Sequence, residues 1–95
     1  METTRTRGFV DKVWDGSIVP TLIDYIRIPN KSPLFDPEWQ VHGYMDRALE
    51  RIVAWIQSQQ VPGMKMEVVR LPGRTPLLFI DTPGDSKDCV LLYGH

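Results

Sequence analysis

The amino-acid sequence predicts an α/β fold in which helices come first and strands follow. Three observations support this: an apolar stripe with helical spacing in the middle of the chain, two strand-length segments after it, and a continuous apolar run at residues 89–93. Such a run is typical of a central strand that is buried on both faces. One strong helix and one weaker helix do not cover a sheet of this kind. We therefore expect the first part of a larger α/β domain; the alternative is a complete small α+β domain.

The N-terminal third of the chain has the spacing of one kinked helix or of two short helices. Residues 1–8 are polar, which predicts a flexible N-terminus, and a helical rhythm of apolar residues begins at Phe9. The polar step at residues 15–17 interrupts this rhythm and can cap a second helix, with Pro20 in its first turn. The apolar stripe of that second helix consists of Leu22, Ile23 and Ile26.

A loop and a long helix are predicted next. Pro29 ends the preceding helix because a residue before proline favours extended conformations, and further prolines stiffen the loop that follows. The long helix is predicted over residues 41–59 and ends before Pro62 and Gly63. Its core-facing stripe has the spacing of a buried helix face and consists of Met45, Ala48, Leu49, Ile52, Val53 and Ile56.

Three strands are predicted after the long helix. The first covers residues 64–71 and alternates, with Met64, Met66 and Val68 on one side. A Pro-Gly turn separates it from a second strand over residues 76–82. The third strand covers residues 89–93, and the turn-forming residues 83–87 before it are consistent with a hairpin.

Composition excludes several classes of protein. Eleven basic and twelve acidic residues give a net charge of −1, so neither nucleic acid nor an anionic membrane is an expected partner. No apolar run approaches the roughly 18 residues of a membrane span, and the N-terminus lacks the apolar stretch of a secretory signal. Cys89 is the only cysteine, which excludes an internal disulfide and a zinc site built from several thiolates. We therefore expect a cytoplasmic protein.

His95 is the candidate metal ligand in the sequence. It follows Gly94 at the C-terminal end of an apolar strand, and sites in open α/β sheets lie beyond the carboxyl ends of strands. A neutral imidazole in this place makes a good zinc ligand. From its position alone, an exposed chain-terminal histidine is the simpler interpretation.

The other polar candidates have structural interpretations. His42 beside Gly43 is a solvated or capping histidine, and Arg47 and Arg51 form a solvated helix face. The aspartates around residues 82–87 lack the spacing of a calcium loop and suit turn formation instead; they are Asp81, Asp85 and Asp88. No P-loop, nucleophile elbow or dinucleotide-binding glycine motif occurs.

The run VLLYGH at residues 90–95 resembles the strand that delivers the first metal ligand in the dizinc metallopeptidase family. This family includes glutamate carboxypeptidases, carnosine-type dipeptidases, acetylornithine deacetylase and succinyl-diaminopimelate desuccinylase. Residues 22–28 followed by PNKSP at residues 29–33 also resemble the family's first helix and its proline–serine loop. Asn30 stands where the family often has serine. The order of elements is similar to that of the family from about residue 10 to His95.

The resemblance implies a doubly wound α/β catalytic domain with a smaller domain inserted later in the chain. It also implies two zinc ions bridged by a carboxylate and a water molecule, with a glutamate that transfers the proton. The implied reaction is hydrolysis of a peptide or N-acyl amide bond. The implied substrates are therefore small peptides or N-acyl amino acids, for a carboxypeptidase, dipeptidase or deacylase. Full-length members commonly form homodimers.

His95 is the single family site residue that the resemblance places on this sequence, in the position of the first histidine ligand. The family pattern continues with an aspartate two residues later, and a zinc site needs three or four protein ligands. We therefore expect residues 9–95 to be the N-terminal part of a zinc-peptidase-like catalytic domain that is inactive as an isolated chain. The alternative is a stand-alone small α/β interaction or vestigial module without metal or catalysis.

Overall fold

The computed structural model describes residues 2–94, and the chain divides into two compact units, Met1–Gln60 and Val61–His95. The described part of the first unit is helical, and that of the second contains one antiparallel pair of strands. The predicted mixture of helices and strands, in that order along the chain, is therefore confirmed. Between Glu2 and Gly94, no helix combines the length and the apolar character that crossing a membrane requires.

Helical structure is continuous through the N-terminal part of the first unit. Helix α1 covers Thr3–Val13, a π-helical turn covers Trp14–Ile18, and helix α2 covers Val19–Arg27. The carboxylate of Glu2 caps the start of α1 because it accepts hydrogen bonds from the first free backbone N–H groups. The N-terminus, predicted to be flexible over residues 1–8, is therefore helical from Thr3 onwards.

Pro20 explains the π-helical turn. Proline has no N–H group, and its ring collides with the carbonyl four residues earlier in a regular α-helix. The chain responds by widening, so that the N–H of Val19 donates to the carbonyl of Trp14, five residues back. The hydroxyl of Thr21 donates to the carbonyl of Ser17 at 2.7 Å and satisfies a second carbonyl of this turn. The predicted interruption at residues 15–17 is a widened turn within one helix.

Gly43 divides the predicted long helix into two. Helix α3 covers Trp39–His42 and helix α4 covers Tyr44–Ser58. Gly43 between them has a φ of +72°, in the left-handed region that glycine adopts without a steric penalty. The prediction of one uninterrupted helix over residues 41–59 was therefore wrong at its N-terminal end, although α4 follows the predicted range closely.

Little of the first unit is buried. Ala48 on α4 is 4% exposed and is the only buried residue among residues 2–94. Large apolar side chains along the N-terminal helical segment remain exposed to solvent, namely Phe9, Val10, Trp14, Leu22, Ile23 and Ile26. The predicted apolar stripes form, but much of their surface is left uncovered by the described residues.

The second unit contains a β-hairpin. Strand β1 covers Lys65–Val69 and pairs in antiparallel orientation with strand β2, Leu77–Asp81. Val68 lies opposite Leu78 in this register, so the two side chains share one face of the ladder. The first two predicted strands are confirmed. The connection that reverses the chain is residues 70–76, whereas the predicted hairpin was placed at residues 83–87.

The third predicted strand does not form. Residues 88–94 are irregular, and their apolar side chains are almost fully exposed, with Val90 at 83% and Leu92 at 89%. A central strand buried on both faces requires a neighbour on each side and helices above and below. Within its described residues, the second unit offers a single pair of strands. The prediction of a strand over residues 89–93 is therefore wrong for this structure.

Candidate functional site

His95, the predicted metal ligand, lies outside the residues that the structure describes, so its role remains a prediction. Residues 2–94 contain no group of three or more histidine, cysteine, aspartate or glutamate side chains placed to hold a metal ion. Zinc sites need three or four protein ligands. Residues 2–94 by themselves therefore supply no set of ligands for the paired metal ions that the family resemblance implies.

The turn aspartates are explained by local structure. Asp88 donates its backbone N–H to the hydroxyl of Ser86 at 3.0 Å, which is a typical side-chain-stabilised turn. Asp81 is the last residue of β2 and lies opposite Lys65 in the ladder. The three aspartates form no group within residues 2–94 that could hold a metal ion. The prediction of a turn-forming residue was wrong for Asp81, which lies in a strand, whereas Asp85 lies in the bend at residues 85–87.

His42 has two carboxylate partners at the start of the long helical region. Its Nδ1 lies 2.7 Å from Oδ2 of Asp36, and its Nε2 lies 3.8 Å from Oε2 of Glu38. The Asp36 side chain is only 14% exposed, whereas that of His42 is about half exposed. The Nδ1 contact ties the loop before α3 to the end of that helix. Both contacts are with carboxylates and neither is with a backbone group at a helix end, so they give His42 a loop-tethering role and not the predicted capping role.

We expect His42→Ala to lower the free energy of unfolding by about 1 kcal/mol, because it removes a short hydrogen bond to a carboxylate. Urea denaturation followed by circular dichroism measures this change. Gln40→Ala is the matched control, since Gln40 is an exposed residue on the same short helix. Equal stability of the two variants would show that the contact with Asp36 does not stabilise the loop.

A groove lies between α2 and α4 in the first unit. Its volume is about 350 Å³, and it is lined by Ile18, Thr21, Leu22, Tyr25, Arg51, Ile52 and Trp55. We call it the α2–α4 groove. Most of these side chains are aliphatic or aromatic, as in small-molecule sites, whose volumes run from roughly 300 to 1,000 Å³. The groove brings together residues that are about 30 positions apart in the sequence.

Polar contacts hold the walls of the α2–α4 groove together. The indole N–H of Trp55 donates to the hydroxyl of Ser17 at 2.9 Å. Nη2 of Arg51 donates to Oδ2 of Asp24 at 3.2 Å and to the hydroxyl of Thr21 at 3.5 Å. These bonds join α4 to α2 and to the π-helical turn. They leave the apolar floor of the groove open between them.

Arg51 was predicted to lie on a solvated helix face, and this prediction was wrong. Its side chain is 33% exposed and reaches across to α2. The spacing of Thr21 and Asp24 puts a hydroxyl and a carboxylate one turn apart on one helix face. Together the two side chains can accept hydrogen bonds from an arginine. The sequence does not identify which arginine makes these bonds.

Comparison with known proteins adds no assignment to this geometry. No protein-family model matches the chain, and no curated protein matches it either.

Proposed function

We propose that this chain is the N-terminal segment of a metal-dependent hydrolase that resembles the dizinc metallopeptidases, and that the segment is inactive by itself. The whole enzyme would cleave peptide or N-acyl amide bonds of small substrates in the cytoplasm. The catalytic domain would be doubly wound. The run at residues 90–95, the proline loop and the order of elements support this assignment.

The observation that carries the proposal is the exposure of residues 90–93. Each of these four apolar side chains is at least 80% exposed. Burying a side chain of this type contributes about 1.5–3 kcal/mol, so the segment gains strongly from a sheet that covers it. The same residues have the continuous apolar character of an interior strand. We infer that they form a strand when further strands are present beside them.

The location of His95 follows from that strand. A histidine directly after an interior strand lies at the carboxyl edge of the sheet, where α/β enzymes bind ligands and metals. Gly94 before it has no side chain, which lets the backbone turn towards a bound ion. His95 would supply one imidazole ligand. The remaining ligands and the proton-transferring carboxylate would come from other parts of the protein.

The test is the nucleotide sequence beyond the codon for His95. We expect an open reading frame that encodes aspartate at the second position after His95, as the family pattern requires. An aspartate at that position would match the residue that follows the first histidine ligand in the family pattern. A stop codon directly after His95, or a frame without that aspartate, would overturn the proposal. The first of these outcomes would favour the alternative of a small interaction module without metal.

A further inference from the structure

The α2–α4 groove has an apolar lining and one cationic side chain. Arg51 is the only charged residue among the residues that line it, beside aliphatic and aromatic side chains such as Leu22, Ile52 and Trp55. Apolar surface favours an apolar ligand body at about 25 cal/mol per Å² buried. A single charged group in such a lining orients the ligand.

Arg51, which lines the groove, belongs to a small cluster of charges with Asp24 and Arg27. Asp24 lies between two arginines, with Oδ1 3.8 Å from Nη1 of Arg27 and Oδ2 3.2 Å from Nη2 of Arg51. Two cations and one carboxylate leave a local charge of +1. Among the described residues, the contacts of the Arg51 guanidinium use Nη2 alone. Because a guanidinium carries five N–H donors in a planar fork, Arg51 has the capacity to bind a second carboxylate.

We propose that the α2–α4 groove binds a monocarboxylate with an apolar chain, with the chain along the apolar lining and the carboxylate on Arg51. Charge complementarity selects this ligand over a cationic amphiphile, because Arg51 is the one charged residue among those that line the groove. The inference uses residues of the first unit alone. It is independent of the proposed hydrolase function, which depends on His95.

The test is calorimetric titration of the 95-residue chain with decanoate and with decyltrimethylammonium, both below their micelle concentrations. The two probes share an apolar chain and differ in the sign of their head group. We expect decanoate to bind at least about tenfold more tightly, because hydrogen bonds to charged groups contribute on this scale. Equal affinities, or no binding of decanoate, would overturn the proposal.

Variants assign the binding to Arg51. Arg51→Gln should weaken decanoate binding about tenfold, whereas Arg47→Gln on the same helix should leave it unchanged, since Arg47 does not line the groove. Asp24→Asn should strengthen binding, because it removes the carboxylate that competes for Arg51. Equal effects of the two arginine variants would overturn the assignment.

The role of Arg51 in binding decanoate can still be tested if Arg51→Gln does not fold. Circular dichroism shows whether each variant is folded. If Arg51→Gln is not folded, Arg51→Lys is used in its place, because it keeps the positive charge. Asp24→Asn removes the same interhelical ion pair as Arg51→Gln, so a purely structural role of that pair predicts weaker binding in both. Weaker decanoate binding in Asp24→Asn would therefore contradict the proposal.

Discussion

In the longer hydrolase that we propose, replacing His95 by alanine should abolish hydrolysis of N-acyl amino acids and dipeptides. A metal ligand at this position supports several kcal/mol of transition-state stabilisation, and each 1.36 kcal/mol is a factor of ten in rate. We therefore expect a loss of roughly three orders of magnitude or more in kcat/KM. The measurement is the hydrolysis rate together with the zinc content per chain, before and after chelation.

His42→Ala is the matched control in the same longer protein. His42 has Asp36 and Glu38 as partners, and its role in the structure is to hold a loop. We expect His42→Ala to keep its zinc content and most of its activity. Activity that survives His95→Ala at the wild-type zinc content would contradict the assignment of His95 as a ligand, even if the reading frame continues as proposed.

Ala48→Asp should remove the cooperative unfolding of the helical unit. Ala48 is the one buried residue among residues 2–94, at 4% exposure. A carboxylate in its place would be desolvated, which costs several kcal/mol unless a cation compensates it. Small domains have a total stability of only about 5–15 kcal/mol, and a unit with so little buried surface lies at the low end of this range.

Thermal melting followed by circular dichroism at 222 nm measures this effect. Ala54→Asp is the control, because Ala54 is exposed on the same helix and the change carries the same helix-propensity cost. We expect Ala54→Asp to melt cooperatively and Ala48→Asp to lose the transition. Similar melting curves for both variants would show that the first unit is not held together around Ala48.

Helix and strand positions in this chain follow largely from local sequence patterns. The apolar stripe from Met45 to Ile56 predicted α4 because side chains three and four residues apart share one helix face. Alternation and Pro-Gly turns predicted β1 and β2 in the same way. Gly43 and Pro20 alter the helices through their backbone properties. Gly43 accounts for the break between α3 and α4, and Pro20 accounts for the widened turn before α2.

Contacts between residues distant in the sequence could not be predicted in this way. The ion pair of Arg51 with Asp24 and the hydrogen bond of Trp55 with Ser17 depend on how α4 lies against α2. Periodicity describes one helix at a time, so it assigned Arg51 to solvent. The α2–α4 groove exists only because these two helices meet, and the sequence contained no sign of its shape.

The apolar run at residues 89–93 depends both on local sequence and on contacts with distant residues. Its composition specifies a segment suited to the interior of a sheet. Whether it becomes a strand depends on backbone partners that hydrogen-bond to it and on side chains that cover it. Among residues 2–94 no further strand pairs with Val90, Leu91 or Leu92, and these three side chains remain exposed. Local sequence determines the propensity for a strand, and the surrounding structure decides whether the strand forms, because its stabilisation comes from neighbours.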